Sequence, residues 1–219
     1  MRGGAIAAPS ANRYGHVSPT RAAHVREEFG DAVPLVLDGG DCEVGLESTI
    51  VACLGGRLTL LRPGAITLAA LRAVAGDVQP ASAGTGGVAL PRTPGSTPAH
   101  YAPSTPLLLL AGDALGAAAR ARAAGGARVG VLAQAGAPAG LEGGVHWLAA
   151  GADPARFGHD LYAHLRDLDR LGLDQLLVES VPAGEAWDAV RDRLGRAAAG
   201  SSASTAPATD PTDDNGDLP

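Results

Sequence analysis

Residues 106–132, PLLLLAGDALGAAARARAAGGARVGVL, decide the fold class that this sequence predicts. A short apolar run at 106–110 is typical of a buried strand, and the alanine-rich stretch at 114–124 is typical of a helix. A second apolar run at 128–132 predicts another strand. Two strands joined through a helix lie parallel in one sheet, so this stretch indicates an α/β fold with helices on the faces of the sheet.

The alternation of strands and helices continues towards the C-terminus. Residues 145–148 and 175–179 predict two further strands, and Asp153 begins a long helix whose leucines recur every three or four residues. A last helix is predicted over 187–198. Beyond it the sequence is rich in Ser, Ala, Thr, Pro and Asp, and this composition predicts a disordered tail over 200–219.

Towards the N-terminus the predicted elements are shorter and the loops are longer. They are a helix over 20–29 capped by Ser18, a strand over 33–37, a hairpin of strands over 48–53 and 58–62, and a helix over 67–74. A stretch rich in Gly, Pro, Ser and Thr follows and shows neither helical nor strand periodicity, which is typical of a linker or lid. We therefore predict a first domain over 1–76, an interdomain linker over 77–105 and a second domain over 106–199.

The composition is that of a globular protein without a basic surface. Of the 219 residues 46% are hydrophobic, the net charge is −6, and the chain contains no lysine. A negative net charge gives no field that attracts a polyanion, so broad binding of nucleic acids is disfavoured.

Nothing in the sequence predicts export or insertion into a membrane. The N-terminus lacks the regions of a signal peptide, and no apolar run approaches the roughly 18 residues that a membrane span needs. Cys42 and Cys53 are too few for a disulfide framework, and we interpret both as small buried residues. The prediction is a cytoplasmic protein that does not bind membranes.

The densest group of polar residues is APSANRYGHVSPT, at 8–20. Ser10, Asn12 and Ser18 offer hydroxyl and amide groups in a loop that leads into a helix N-terminus, where free backbone amides favour an anion. The loop therefore predicts a phosphate site. The alternative is that Ser18 only caps the helix and Asn12 only stabilises a turn.

Two further groups lie on the predicted hairpin. Ser48, in VGLESTIV, can donate to a ligand carboxylate, and Glu47 can hold an amine or a neighbouring arginine. The alternative for this strand edge is that its hydroxyls bond to backbone. Arg62 precedes a Pro-Gly turn and can direct its guanidinium at a phosphate, although a surface ion pair is an equal possibility.

His100 and Tyr101 lie in the predicted linker. An imidazole and a phenol on a segment between domains suit a lid, although a linker that packs its aromatic ring on a domain would have the same sequence. The chain has no nucleophile elbow, no pair of metal-binding histidines at helical spacing and no Walker lysine, so the sequence predicts neither a catalytic side chain nor a metal site of the protein's own.

Five motifs, SANRYGHVSPT, DGG, VGLESTIV, LRPGAIT and PGSTPAHYAP, follow one another along the chain. In this order and spacing they resemble the Sua5 branch of the Sua5/YciO/YrdC family. The stretch LYAHLRDLDRLGLDQLLVES and the last helix resemble the C-terminal Sua5 domain of that family, so the resemblance covers about residues 4–199. It implies a partial YrdC-like twisted α/β domain, then a Rossmann-like Sua5 domain and a disordered tail.

The implied activity is that of a nucleotidyltransferase, which joins L-threonine, bicarbonate and ATP into threonylcarbamoyl-AMP and releases pyrophosphate. In this resemblance ATP is a substrate, with Mg²⁺ accompanying its triphosphate. The product would pass to the tRNA threonylcarbamoyl-transfer machinery, which modifies an adenosine beside certain anticodons. A weak contact with RNA is a further implication of the family resemblance.

The resemblance also assigns roles residue by residue. It implies nucleotide contacts for Ala8, Ser10, Asn12, Ser18, Arg62 and Tyr101. It implies threonine contacts for Ser10 and Ser48, and a lid that contains His100 and Tyr101.

The sequence departs from the family pattern at its start. In the family this block follows a Pro-Thr-Glu-Thr type segment that binds threonine and a Lys-x-Arg motif on the phosphates, and the chain has no lysine. It therefore resembles a Sua5 protein without the N-terminal half of its YrdC-like domain. Three interpretations follow: part of an active enzyme, a non-catalytic module that binds nucleotide or threonine, or an RNA-binding module, which the charge disfavours. We expect the isolated chain to make no threonylcarbamoyl-AMP, because groups that neutralise the triphosphate are missing.

Overall fold

Two sheets organise the chain in the computed structural model, which describes residues 4, 8–81, 90–95, 97, 99–141 and 143–203. The N-terminal section carries a three-stranded sheet and the C-terminal section a four-stranded one, so the predicted α/β class is confirmed. Residues 82–89 of the predicted linker and residues 204–219 of the predicted tail lie outside the described residues.

The N-terminal section is built around one β-hairpin. Its elements are α1 (Ala22–Phe29), a 3-10 turn (Gly30–Ala32), β1 (Ile50–Leu54), β2 (Arg57–Arg62), α2 (Leu68–Ala75) and β3 (Val78–Pro80). β1 pairs antiparallel with β2, and β3 joins β2 in parallel. Gly55 and Gly56 have φ angles of 56° and 73°. Positive φ at both central residues is the turn geometry that matches the twist of the two strands, and the predicted hairpin is confirmed.

The C-terminal section is a parallel sheet with helices on both faces. Its elements are β4 (Leu107–Leu110), α3 (Gly112–Ala124), β5 (Val129–Ala133), β6 (Val145–Ala149), α4 (Pro154–Asp169), β7 (Gln175–Glu179), a second 3-10 turn (Glu185–Trp187) and α5 (Asp188–Ala203). The strand order is β4-β7-β5-β6, and every neighbouring pair is parallel. The parallel sheet predicted from residues 106–132 is therefore confirmed.

The two faces of this sheet bury different side chains because successive strand residues point to opposite sides. In β7, Leu176 and Val178 pack in the cluster that contains α4 and α5, whereas Leu177 packs in the cluster that contains α3. In α4, the side chains of Leu161, Leu165 and others are fully buried, as the predicted leucine spacing requires. Helix α4 begins where predicted, since the Asp153 side chain accepts from the backbone N–H of Arg156, three residues further along.

Buried polar contacts hold the N-terminal section against α4. The Arg166 guanidinium donates to the Val17 and Ser18 carbonyls and pairs with the Glu28 carboxylate at 2.5 Å. The Gly45 backbone lies against that of His159 so closely that a Cβ on Gly45 would fall 2.0 Å from the His159 oxygen. The two sections therefore form a tight seam along α4.

Helix α1 begins later than predicted. It starts at Ala22 with Arg21 as N-cap, and no side chain caps it, so the prediction that Ser18 caps a helix from residue 20 is wrong. The Ser18 hydroxyl instead donates to the distant Glu47 carboxylate, because a buried hydroxyl needs a hydrogen-bond partner. The N-cap predicted at Thr67 is confirmed, because its side chain accepts from Ala70 N.

Four further predictions need correction. The strand predicted over 33–37 is irregular, and Leu35 and Leu37 are exposed because the described residues give this segment no strand partner. The strand β3 lies inside the range predicted as linker, and α5 continues into the predicted tail as far as Ala203. Cys42 and Cys53 are both exposed rather than buried. Among the described helices, none is long and apolar enough to cross a membrane.

Candidate substrate site at the junction of the two sections

The candidate site lies where the hairpin of the N-terminal section meets α4 and α5. The loop before β1 contributes Glu47 and Ser48, and the last residue of β2 is Arg62. A buried group of four side chains, which we call the junction cluster, lies beside them and consists of Ser18, Glu47, Tyr162 and Arg193. The site therefore draws on both sections of the chain.

Arg62 holds Ser48 and the linker in one place. Its Nε donates to the Ser48 carbonyl at 3.0 Å and its Nη2 to the Ser48 hydroxyl at 3.3 Å, while Nη1 donates to the Pro94 carbonyl at 2.8 Å. The Arg62 residue is only 7% exposed. These contacts bring together two residues for which the sequence predicted anion binding, and they fix the planar guanidinium in a single orientation.

Glu47 is the centre of the junction cluster. Its carboxylate accepts from the Ser18 hydroxyl at 2.6 Å, from the Tyr162 hydroxyl at 2.9 and 3.1 Å, and from Arg193 Nε at 2.8 Å. Of the two roles that the sequence left open for Glu47, an amine ligand or an arginine partner, the second is realised. A buried carboxylate with this many donors is satisfied within the protein.

The electrostatics of the cluster favour an ionised Glu47 and a protonated Tyr162. Burial alone would raise the pKa of Glu47, but the Arg193 guanidinium and the hydrogen bonds from Ser18 and Arg193 outweigh it and lower the pKa. Burial and the neighbouring Glu47 charge raise the pKa of Tyr162 well above its ordinary value. The phenol therefore stays a donor to the carboxylate across the physiological pH range.

A prediction about acid stability follows for Glu47→Gln. Because the pKa of Glu47 is lower in the folded protein, its charge stabilises the fold above the unfolded value of about 4.3 and ceases to do so as the pH falls through the folded value. Glutamine has no such group. We expect the difference in free energy of unfolding between the two proteins to be large at neutral pH and to narrow below about pH 4. Urea unfolding at both pH values measures this difference, and a pH-independent difference would contradict the assignment.

Tyr101 packs over the junction cluster. Its ring is 2% exposed, its centroid lies 5.7 Å from that of Tyr162, and the Arg193 guanidinium carbon lies 5.4 Å from it. The Tyr101 backbone has a φ of 61°, which is unusual for a residue with a large side chain. Gly95 lies against the Tyr101 hydroxyl, where a Cβ would come within 1.9 Å. The linker residues around Gly95 and Tyr101 therefore pack on the site.

His100 lies beside Tyr101, with their ring centroids 4.3 Å apart. Burial lowers the pKa of His100, so the imidazole is neutral at physiological pH. Its Nδ1 is buried and has no hydrogen-bond partner among the described residues. The backbone N–H of His100 donates to the Arg196 carbonyl on α5, and that of Ala102 donates to the Gly15 carbonyl, so this segment bridges the opening loop and α5.

The opening loop contributes Ser18 to the junction cluster, while the hydrogen bonds of the described residues do not join Ala8, Ser10 or Asn12 to it. Ala8 and Ser10 are exposed, and the hydrogen bonds of the described residues do not include the Ser10 hydroxyl. The Asn12 amide donates to the carbonyls of Arg13 and His16, which is the turn role that the sequence left open. The nucleotide and threonine contacts predicted for Ala8, Ser10 and Asn12 stay predictions.

Two members of the junction cluster, Tyr162 and Arg193, were missed in the sequence. A signal was present for Arg193, because buried apolar residues lie three residues before it and four residues after it in the helix. Tyr162 gave no such signal, because its neighbours at three and four residues include His159 and Arg166. Arg193 lies between Val190 and Ala197 on that face of α5, and its side chain has no exposed area. An arginine in such a position almost always has a charged partner, and the partner here is Glu47.

The residues described here do not form a metal site of their own. Within the described ranges, no three His, Cys, Asp or Glu side chains lie close enough to hold a metal ion.

The fold and this site define a class of protein: a two-section α/β protein whose sections meet at an arginine-centred polar site beneath a packed linker. A family model described as threonylcarbamoyl-AMP synthase, C-terminal domain, matches residues 66–199, and one described as telomere recombination, of the Sua5/YciO/YrdC type, matches residues 1–64. The chain belongs to the threonylcarbamoyl-AMP synthase family of Sua5 type.

Curated relatives agree with this membership. The chain is 34% identical over 199 residues to the threonylcarbamoyl-AMP synthase of Bacillus subtilis, covering 89% of this chain and 57% of the relative. It is also 34% identical to the proteins of that name from Schizosaccharomyces pombe and Pyrococcus abyssi, covering 88% of this chain in each case and 52% and 57% of the relatives. The chain thus spans somewhat more than half the length of the relatives it matches.

Solved structures show the same likeness. The crystal structure of P. abyssi Sua5 complexed with L-threonine matches with a TM-score of 0.74 at 30% identity, covering 88% of this chain and 57% of that one. A variant of that protein with a histidine and a tyrosine replaced by alanine matches with the same TM-score at 29% identity, covering 88% and 56%. The predicted fold, a partial YrdC-like section followed by a Sua5 section, is confirmed. The domain boundaries at 76 and 105 stay predictions.

Proposed function

We propose that this chain serves the synthesis of threonylcarbamoyl-AMP from L-threonine, bicarbonate and ATP, with release of pyrophosphate. The observation that carries the proposal is the Arg62–Ser48 pair, which sets a buried cation beside a hydroxyl at the end of the hairpin. The names of the curated relatives and the threonine complex of the P. abyssi protein support it. The product would enter the threonylcarbamoyl modification of tRNA adenosine in the cytoplasm.

The reaction requires a site that holds two anions together, the threonine carbamate and the triphosphate of ATP. The threonine amine and bicarbonate form a carbamate with loss of water. A carbamate oxygen then attacks the α-phosphorus of ATP, and the bond from that phosphorus to the oxygen bridging to the β-phosphate breaks, which releases pyrophosphate. Such a step is accelerated chiefly by positioning and by neutralising charge that develops on the phosphate. In this proposal Ser48 binds the threonine, and the Arg62 guanidinium faces the nucleotide phosphates. Tyr101 and its neighbour His100 cover the site from the linker.

The alternative role is that of a module that binds nucleotide or threonine without catalysis. One pair of measurements distinguishes it from the proposed activity. Isothermal titration calorimetry of the 219-residue chain with L-threonine and with MgATP measures binding, and a pyrophosphate assay with threonine and bicarbonate measures turnover. Heat with both ligands and no pyrophosphate identifies a binding module. Absence of heat with a folded sample would count against both roles. Retention on an RNA column at physiological salt, without heat from either ligand, would favour the RNA-binding alternative.

Ser48→Ala is expected to raise the Kd for threonine about tenfold, because a hydrogen bond from a hydroxyl to a charged group contributes about 1.5 kcal/mol. The Kd for MgATP should change little. The matched control is Ser180→Ala, since Ser180 is an exposed serine at the end of β7 in the other section. Equal affinity for threonine in the Ser48 variant and the wild-type chain would remove Ser48 from the threonine site.

A further inference from the structure

The arginine of α5, Arg193, contacts the two chain segments that carry the Arg62–Ser48 pair. Its Nε and Nη2 donate to the side chain and the backbone carbonyl of Glu47, at 2.8 and 3.4 Å, and Glu47 immediately precedes Ser48. Its Nη1 donates to the Pro63 carbonyl at 2.9 Å, and Pro63 immediately follows Arg62. One guanidinium of the C-terminal section thus bridges two segments of the N-terminal section.

The Arg193 side chain has little freedom to move because it is fully buried. The Arg193 side chain has no exposed area, and its ring neighbour Tyr101 closes it from the linker side. The two bridged segments touch behind it, since a Cβ on Gly64 would lie 2.4 Å from the Thr49 nitrogen. The donors of a planar guanidinium have fixed directions, and the packed segments have little room to relax. The position of the Arg193 guanidinium therefore determines where the Glu47 and Pro63 segments lie.

The location of its partners distinguishes Arg193 from an arginine that only stabilises its own section. Its neighbour on the same helix, Arg191, illustrates the difference. Arg191 is 43% exposed and bonds to Asp188 and to the Pro182 and Gly184 carbonyls, all within the C-terminal section. Arg193 also bonds Asp192 on its own helix at 2.8 Å, but its bonds to Glu47 and Pro63 cross between the sections and end one residue from Ser48 on one side and one residue from Arg62 on the other.

We propose that Arg193 is a positioning residue, through which the C-terminal section sets the distance between the Ser48 hydroxyl and the Arg62 guanidinium. The threonine part of this proposal rests on the proposed function, while the geometric part does not. Arg193 touches neither substrate. It acts through Glu47 and Pro63, and it makes the geometry of the site depend on the docking of α5.

The test uses a double variant, Glu47→Gln with Arg193→Met, in the 219-residue chain. Replacing both partners avoids leaving an unpaired buried charge, so the fold is retained far better than with either single change. Arg191→Met is the matched control. The readout is hydrogen exchange of the Arg62 Nε–H, observed by ¹⁵N NMR, because that group donates to the Ser48 carbonyl. Threonine binding is measured in parallel by calorimetry.

If Arg193 positions the pair, the Arg62 Nε–H exchanges at least about tenfold faster in the double variant, and the Kd for threonine rises at least about fivefold. The Arg191 variant should match the wild type in both. A folded double variant with wild-type exchange at Arg62 would overturn the proposal and leave Arg193 a stabilising residue. Absence of threonine binding by the wild-type chain would count against the proposed function, whereas the exchange result would still decide the role of Arg193.

A second variant covers the case in which the double variant does not fold. Arg193→Lys keeps the positive charge for Glu47, but an ammonium group cannot reach the Glu47 and Pro63 carbonyls in the fixed geometry of a fork. We expect it to fold and to show faster exchange at Arg62 than the wild type. Wild-type exchange in this folded lysine variant would contradict a positioning role, since charge alone would then be sufficient.

Discussion

Arg193→Met is expected to lower the free energy of unfolding by about 3–5 kcal/mol, because it leaves the buried Glu47 carboxylate without its cation. The same change removes donors from the Glu47 and Pro63 carbonyls. Urea unfolding followed by circular dichroism and by tryptophan fluorescence measures the loss. Trp187 is a suitable reporter, since it is buried against Phe157 with ring centroids 5.5 Å apart in the core next to α5.

The control for this prediction is Arg191→Met, which removes an exposed arginine from the same helix. Ion pairs of this kind contribute about 0–1 kcal/mol, so the control should unfold at nearly the wild-type urea concentration. A loss below about 1 kcal/mol for Arg193→Met would show that Glu47 finds other compensation, from Ser18 and Tyr162 or from water.

A large loss in this variant does not mean that the ion pair stabilises the fold relative to an apolar alternative. Burying both charges costs several kcal/mol, and well-packed hydrophobic residues often replace such a pair without loss. An apolar replacement would, however, remove the hydrogen bonds that fix Glu47 and Pro63 to α5. The pair is therefore better explained by the geometry it imposes than by the stability it adds.

The parts of the fold that could be predicted are those whose pattern is local. The hairpin follows from two apolar runs around Gly55-Gly56, and the parallel sheet follows from strands that alternate with helices. The start of α4 follows from the Asp153 cap, which needs a partner only three residues away. The turn and the cap depend on contacts within a few residues, and the parallel sheet is indicated by the order of its elements alone, although its strand pairs, such as Leu107 with Leu176, are distant in the chain.

The parts that could not be predicted depend on distant partners. Ser18 looks like a helix cap, yet its hydroxyl donates to Glu47, which lies 29 residues further along the chain. The apolar run at 33–37 looks like a strand, yet a strand needs a neighbour to pair with, and the described residues offer none. Local propensity gives no information about either requirement.

The candidate site was predictable in part for the same reason. Arg62 pairs with Ile50, the first residue of β1, and Ser48 precedes Ile50 by two residues, so the proximity of Ser48 and Arg62 follows from the pairing of β1 with β2. Glu47 had two possible roles in the sequence, and the choice between them was made by Arg193, 146 residues away on α5. A contact across that separation leaves no trace in local spacing.

The second large effect is expected for Arg62→Ala, which should raise the Kd for MgATP about 100-fold, or roughly 2.8 kcal/mol at about 1.4 kcal/mol for each factor of ten. The reason is the loss of a cation that makes charge-assisted hydrogen bonds, the stronger class of hydrogen bond. The Kd for threonine should rise less, about tenfold, because the Ser48 hydroxyl then loses its donor at 3.3 Å. Titration calorimetry with each ligand separates the two effects.

Arg62→Lys distinguishes a phosphate contact from a purely internal role. If Arg62 meets the nucleotide phosphates, an ammonium group keeps much of the attraction, so the Kd for MgATP should stay within about tenfold of the wild type. The lysine cannot reproduce the bonds to the Ser48 and Pro94 carbonyls together, so threonine affinity should fall almost as far as in the alanine variant. Equal loss of MgATP binding in both variants would mean that the guanidinium fork, rather than its charge, is what the nucleotide requires. Unchanged MgATP binding in both would remove Arg62 from the nucleotide site and leave it as the residue that holds Ser48 and the linker in place.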